Sequence, residues 1–156
     1  MADAAITKVE EALKSLLEAY SPLSGWIILT DQSRDVSLEE GTDQTIAIYT
    51  VAYTFDVADE NWQTLHTATI EFEAISQAPA AGTIGRANHT ALAHVVGAIQ
   101  QDRHLGGRLQ DIQEVDVAPS AGNGRDVGSA SLQTQVQFFT PRGDHFTIAG
   151  MGGVTF

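Results

Sequence analysis

The chain contains no cysteine among its 156 residues. This absence excludes disulfide bridges, thiolate zinc sites, iron–sulfur clusters and a cysteine nucleophile. No apolar run approaches the ~18 residues that a membrane-spanning helix needs. Residues 1–4 include no basic side chain, so we also expect no signal peptide.

Basic residues are scarce. The chain has 8 lysines and arginines against 20 aspartates and glutamates, which gives a net charge of −12. The imbalance is concentrated in residues 1–79, which hold 14 acids and 3 bases. Because a surface this negative repels phosphate, we expect neither a sequence-reading nucleic-acid protein nor a partner of anionic membranes.

The length and the hydrophobic fraction of 43% are typical of one globular domain with its own core. We expect residues 1–149 to form a single α+β domain. Residues 150–156 are rich in glycine, and we expect them to form a flexible C-terminal tail.

Two segments show the apolar period of an amphipathic helix, residues 4–20 and residues 86–102. Asp3 is placed to cap the first helix, and Ser21-Pro22 ends it. Gly97 lies inside the second helix, where it costs ~1 kcal/mol relative to alanine, so we expect another group to pack closely against it.

Six segments read as strands: 26–30, 45–57, 65–75, 109–118, 129–140 and 144–149. Short turns join most of them, so the sheet is expected to be mostly antiparallel, with the two helices packed on it. The order α-β-ββ-α-βββ is that of an α+β fold. In the third strand one face is apolar apart from His66, whereas Glu71 and Glu73 make the other acidic and wet. In the last strand Phe146 and Ile148 are expected to point inward.

The sequence contains no recognised catalytic motif, and we expect no catalytic, cofactor or metal site. The acidic stretch 31–44 falls short of a calcium loop, because Val36 and Thr42 stand where that loop needs glycine and glutamate. His89 and His94 lie about 140° apart on a helix, which prevents them from sharing a metal easily. His66 is interpreted as a core residue with satisfied hydrogen bonds.

One succession of motifs is more specific. The second helix ends in the sequence D-R-H-L-G-G at residues 102–107, a strand follows, and a later strand ends in T-P-R-G-D at residues 140–144. This order resembles the tail terminator and tail completion proteins of long-tailed bacteriophages, over most of residues 4–149.

The resemblance implies a non-enzymatic structural protein of the virion. Such proteins form a ring with copies of themselves, usually six, at the junction of head and tail. The ring caps the tail tube, ends its polymerisation and joins it to the head-tail connector. The expected partners are therefore the major tail tube protein and the connector protein, with assembly in the host cytoplasm. DNA passes through the lumen without specific binding, and no membrane is involved.

Within this interpretation, Arg103, Leu105 and Arg108 are hypothetical contacts with a neighbouring subunit or the connector. An equally weighted alternative is a helix C-terminus that is stabilised by arginine and capped by glycine.

Three further positions are interface hypotheses. Arg125 and Arg142, both on loops, could pair with Glu71 or Glu73 of a neighbouring copy. Trp62, beside an acidic turn, could be an exposed anchor for a partner.

Two other functions stay open from the sequence. One is a head-side neck or head completion protein, which shares the size and the ring habit. The other is a small α+β ligand-binding domain or enzyme with a pocket between helix and sheet near His66, Tyr53 and Glu71.

Overall fold

The computed structural model describes residues 2–30, 44–58, 62–77, 84–119 and 127–156. Residues 31–43, which make up nearly all of the acidic stretch, lie outside these ranges, and so does Arg125.

The described residues form two α-helices and one five-stranded sheet, which confirms the α+β class. The elements are α1 (Ala5–Ala19), β1 (Ile27–Leu29), β2 (Gln44–Ala58), β3 (Gln63–Gln77), α2 (Ile84–Gln101), β4 (Asp111–Pro119) and β5 (Val127–Pro141). The strand order is β1-β2-β3-β5-β4, and every neighbouring pair is antiparallel except β1 with β2.

Both helices pack on the same face of the sheet. Helix α1 buries one stripe of its surface completely, at Ala5, Val9, Leu13 and Leu17. On β3, alternate residues from Thr64 to Ser76 point to this face and are buried. A strand of period two and a helix of period 3.6 thus present their apolar sides to one shared core.

Helix α1 begins without a side-chain cap, so the prediction for Asp3 is wrong. The residue that precedes the helix is Ala4, which has no capping side chain. The backbone N–H of Ala5 donates instead to the carbonyl oxygen of His145, at 2.7 Å. A group distant in sequence therefore satisfies the helix terminus.

The segment after β5 joins the sheet only at single bridges, Phe139 with Ala149 and Ala149 with Thr155. Ile148 is buried as expected, but Phe146 is 52% exposed, which corrects its inward assignment. The carboxylate of Asp144 accepts hydrogen bonds from the N–H groups of Phe146 and Thr147. These bonds hold a turn where the alternation predicted a strand.

The sheet face opposite the helices is less wet than its alternation suggested. Glu71 is only 7% exposed, and Gln133 on β5 donates to its carboxylate at 3.5 Å. Tyr49 on β2 donates its hydroxyl to Glu73. Glu71 lies on the central strand directly between Tyr49 and Gln133, and these long side chains exclude water from it.

The glycine-rich tail folds back onto the domain in this structure. Phe156 exchanges two backbone hydrogen bonds with Ile148, at 3.0 and 3.1 Å. Lys8 Nζ donates to the carbonyl oxygen of Phe156 at 3.2 Å. Gly152 and Gly153 have φ angles of 72° and 80°, in the left-handed region that glycine adopts at no steric cost, and so form the turn.

Gly97 faces a close neighbour, as its place in the helix predicted. A β-carbon at this position would lie 2.7 Å from the hydroxyl oxygen of Tyr20. Gly97 of α2 therefore makes room for Tyr20, the residue that follows α1.

We predict that Gly97→Ala destabilises the protein, because its methyl group displaces the Tyr20 hydroxyl. In a Tyr20→Phe background the same change should stabilise it by up to ~1 kcal/mol, the helix propensity that alanine adds. Urea unfolding of the four chains measures both effects. Gly85→Ala is the control, since a β-carbon there meets nothing within 4 Å. Equal effects of Gly97→Ala in both backgrounds would contradict the packing argument.

Candidate functional site

The described residues leave four large apolar side chains exposed at one end of the sheet, where β2 turns into β3. Phe55 and Val57 lie on β2, Trp62 on the turn, and Phe146 beyond β5, with exposed fractions of 50, 52, 73 and 52%. The ring centroids of Phe55 and His145 are 4.9 Å apart, and Phe146 follows His145 in the chain. We call these four residues the hairpin-end patch.

The patch exists because the helices cover only part of the sheet. Ile46 and Ile48, near the start of β2, are fully buried beneath them. Phe55 and Val57 pair with the inward-pointing positions His66 and Thr64 of β3, so they lie on the same face. They extend past the helices, however, and remain half exposed. A cluster of this kind marks an interaction site more often than scattered single residues do.

Trp62 is held in an uncommon conformation. Its φ angle is 54°, in the left-handed region, and its carbonyl oxygen accepts from the backbone N–H of Arg142 at 2.8 Å. The guanidinium of Arg142 lies 5.7 Å from the centre of the indole ring. The exposure predicted for Trp62 is present, and neighbouring groups orient its ring.

His66 lies beneath the patch and has no exposed surface. Its Nδ1 is 2.5 Å from the hydroxyl of Tyr53, and its Nε2 is 2.7 Å from the hydroxyl of Thr140. Burial raises the pKa of Tyr53 to about 12, so its phenol keeps its proton and donates to Nδ1. Nε2 then carries the imidazole proton and donates to Thr140.

This arrangement confirms that His66 is a core residue with both nitrogens bonded. Its ring stacks on Phe138 at a centroid distance of 4.6 Å, and the ring of His145 approaches at 4.9 Å. Because aromatic rings and two hydroxyls surround the imidazole, it offers no open side to a ligand. The predicted pocket at this residue therefore has no support in the structure.

Burial and the nearby charge of His145 lower the pKa of His66 to about 4. In the unfolded chain the value is ~6.5, so unfolding takes up a proton over this interval. The stability that the neutral imidazole contributes is thus complete above pH ~6.5. It is lost as the pH falls toward 4.

We predict that His66→Gln reduces the acid sensitivity of unfolding between pH 6.5 and 4. The native protein should lose up to about 3 kcal/mol more over this interval than the variant, from the linkage between pKa and stability. Urea unfolding at a series of pH values measures the difference. His89→Gln, which changes an exposed histidine of α2, should track the native protein. Parallel curves for His66→Gln and the native protein would refute the prediction.

Arg103, one of the hypothetical contacts, bonds within its own chain. It forms an ion pair with Glu114 on β4 at 3.2 Å and donates to the carbonyl oxygen of Ile112. It also donates to the side chain of Gln100 at 3.0 Å. Arg103 therefore connects the end of α2 to β4, which agrees with the structural alternative for this motif.

The next two motif residues also have internal roles. Leu105 is buried in the core, with a φ angle of 47° that its packing holds in place. Arg108 donates to the carbonyl oxygen of Leu105 at 3.0 Å, and its guanidinium lies 4.2 Å from the ring centre of Phe156. The burial of Leu105 corrects its assignment as a contact with a neighbouring subunit or the connector, because it leaves almost no surface for a partner.

A groove of about 320 Å³ lies between α1 and this motif, lined by Leu16, Asp102 and Arg108 among others. The carboxylate of Asp102 accepts from the N–H of Gly106 at 2.8 Å and so closes the turn after α2. Arg108 keeps its guanidinium on Phe156, so the groove presents polar groups that are already bonded.

We predict that Arg103→Ala lowers the free energy of unfolding by about 1–2 kcal/mol, because it removes the hydrogen bonds that join the end of α2 to Glu114 and Ile112 of β4. Arg86→Ala, at an exposed position of α2, should change it by less than about 0.5 kcal/mol. Denaturant unfolding compares the two variants. If Arg103→Ala were as stable as the native protein but impaired in assembly, the result would instead support Arg103 as a contact with a partner.

The remaining interface hypotheses concern residues on different faces. Arg142 lies at the hairpin end beside Trp62, whereas Glu71 and Glu73 lie on the sheet face away from the helices. Pairing of Arg142 with either glutamate of a neighbouring copy stays a prediction. The low exposure of Glu71 favours Glu73 as its partner.

Phe55 and Val57 are exposed apolar residues that the sequence analysis did not single out. The sequence signal that could have found them is the apolar character of both faces of residues 45–57. In the structure β2 is central only where β1 pairs with it, at residues 45–47.

No group of three histidine, aspartate or glutamate side chains suited to a metal ion occurs in the described ranges. In the same part of the chain, neither helix has the length and apolarity needed to cross a membrane.

No protein-family model matches the chain, and no curated protein does. Among solved structures, it is similar to a chain of "Virion of native gene transfer agent (GTA) particle", at 12% identity and a TM-score of 0.48. The match covers 82% of this chain and 92% of that chain. A likeness this weak carries no argument about family or function, so both are argued from the residues.

Proposed function

We propose that this protein is a non-enzymatic structural component of a virion that caps the tail tube as a ring. In this role it ends tube polymerisation and joins the tube to the head-tail connector. The sequence resemblance to tail terminator proteins supports the proposal, and so does the character of the exposed surface.

The observation that carries the proposal is the hairpin-end patch. Phe55, Val57, Trp62 and Phe146 give this end of the sheet a group of exposed apolar side chains, of which Trp62 is the most exposed. Aromatic side chains of this kind dominate protein–protein contacts, and their exposure costs solubility unless a partner covers them. The patch is where the tube or connector protein docks.

Charge sets the conditions for assembly. Each copy has a net charge of −12, so copies repel one another at long range. Salt screens this repulsion, since the Debye length falls from ~30 Å at 0.01 M to ~3 Å at 1 M ionic strength. Ring formation is therefore expected to increase with salt.

We predict a closed ring with a central hole in native mass spectrometry and negative-stain images at raised salt and protein concentration. The mass gives the number of copies. A protein that stays monomeric over the whole range of salt and concentration would contradict ring formation.

Capping of the tail tube can be tested separately in the host cell that assembles the virion. Loss of the gene should give tail tubes of uncontrolled length without heads. The pair Trp62→Ala with Phe146→Ala, two patch residues outside the strands, should form rings but give the same tubes, because the docking patch is lost. Val154→Ala changes an equally exposed residue of the C-terminal segment 150–156 and should give virion tails of native length. Normal tails with the double variant would rule out the patch as the docking surface.

A further inference from the structure

The sheet has two open edges of similar length among the described residues, one on each side. On one side β1 pairs only with Thr45, Ile46 and Ala47, so β2 from Ile48 to Ala58 has a neighbouring strand on one side only. On the other side β4, from Asp111 to Pro119, pairs with β5 alone. An open edge presents unpaired backbone N–H and carbonyl groups, and monomeric proteins protect such edges.

Exposed apolar side chains follow both edges. Val51 and Val57 lie on the open part of β2, and Val115 and Val117 lie on β4. β-branched residues at such positions favour strand pairing. Lysine, one of the residues that protect the edges of monomeric sheets, is absent from both strands. Each strand carries one β-bulge, between Thr50 and Ala52 and between Glu114 and Asp116, and pairs regularly on either side of it.

The strand directions of the two edges are compatible. β2, β3, β5 and β4 alternate in direction across the sheet, so β4 runs antiparallel to β2. A second copy, related by rotation about an axis near the strand direction, therefore places its β4 antiparallel to the first copy's β2. This is the more stable kind of ladder.

Building on the ring proposed above, we infer that neighbouring copies join by an antiparallel ladder between β4 of one copy and residues 50–58 of β2 of the next. The second copy is displaced along the strands by four residues relative to the first. The contact is head-to-tail, so it can repeat around a closed ring.

The position of β1 sets a lower limit on the displacement, and the geometry of a closed barrel favours a shift of four. Within one copy, Pro119 is level with Ile46, through Ala130 and Ala74. Without displacement, β4 of a neighbour would meet the place that β1 occupies. The shift must be an even number of residues, because an odd shift exchanges the two faces of the sheet. A shift of four brings Pro119 level with Thr50, clear of β1.

The same shift suits a closed barrel. A shift of four residues corresponds to ~14 Å along the strands. Four strand spacings separate one copy from the next, which corresponds to ~19 Å across the strands. The ratio gives a strand tilt of about 36°, within the ~35–45° of closed barrels. A ring of staggered sheets can therefore close without breaking the ladder.

The side chains also fit this register. Asp116 is level with Tyr49 in its own copy. Val51 is a bulge residue with no partner in the register, so a shift of four places Asp116 opposite Thr54 of the neighbour. Val117 comes opposite Tyr53, and Gln113 comes opposite Asp56. No two acidic side chains face each other directly, which a ring of acidic subunits requires.

The absence of cysteine allows a direct test by cross-linking. Thr54→Cys and Asp116→Cys, made in separate chains at exposed positions, should form a covalent dimer when mixed and oxidised. The double variant should form a ladder of multimers. A bridge within one chain is excluded, because three strand spacings of ~14 Å separate these positions and a disulfide needs Cα atoms within ~7 Å.

The register has its own control. Asp56→Cys with Asp116→Cys matches a shift of six residues and should cross-link at least about tenfold less. In the cysteine-free chain, Val117→Asp should raise the concentration needed for assembly at least about tenfold, whereas Val154→Asp should leave it unchanged. Circular dichroism of each monomer confirms folding.

The outcomes separate the ladder from the proposed function. Rings without the 54–116 cross-link would overturn the ladder and leave the capping role standing. Cross-linked multimers that never close would support the ladder and contradict the ring. Absence of both rings and cross-links, in variants that fold, would overturn both proposals.

Discussion

Both helices cover one face of a single sheet, and they cover it only in part. The core forms where α1 and α2 lie over the alternate residues of β2, β3 and β5. Beyond that region the hairpin of β2 and β3 continues past the helices. Ile46, Ile48, Phe55 and Val57 all lie on the helix-facing side of β2. The first two are buried because the helices cover them, and the last two are exposed because the helices end before them.

The buried imidazole of His66 marks the border between these two regions. Its hydrogen bonds to Tyr53 and Thr140 connect β2, β3 and β5 where the helical cover ends. Rings from Phe138 and His145 close the remaining sides. A polar group can be buried at this border because both of its nitrogens are bonded, and the network makes the base of the hairpin-end patch rigid.

Among the described residues, most of the exposed large apolar side chains lie on the strands, and the open strand edges belong to the same sheet. A protein that acts as a monomer would gain by covering these parts. An assembly subunit must leave them open, and its strong negative charge keeps the free chains apart until salt or a partner screens it. Arg103 and Arg108 bond within their own chain and stabilise the loop after α2. The contacts between subunits are therefore expected to be made by the sheet.

Local pattern determined much of this fold. The helical stripes of α1 and α2 and the alternation of β3 and β5 could be predicted, because each depends on residues within a few positions of one another. Gly97 predicted a close neighbour, but only the structure identifies it as Tyr20. The buried state of His66 followed in the same way, from the apolar neighbours on its strand face.

The tertiary structure decided what depends on distant partners. Leu105 and Arg103 were hypothetical contacts with a partner, but Leu105 is buried, and Arg103 bonds to Glu114 and Ile112 across a chain reversal. The cap of α1 comes from His145, about 140 residues away in sequence. The extent of β1, only three residues long, determines which part of β2 stays open. The sequence by itself thus determined which residues share a face, through backbone periodicity. Only the packing of the elements decided which parts of those faces and edges are covered, because burial depends on long-range contacts that no local pattern records.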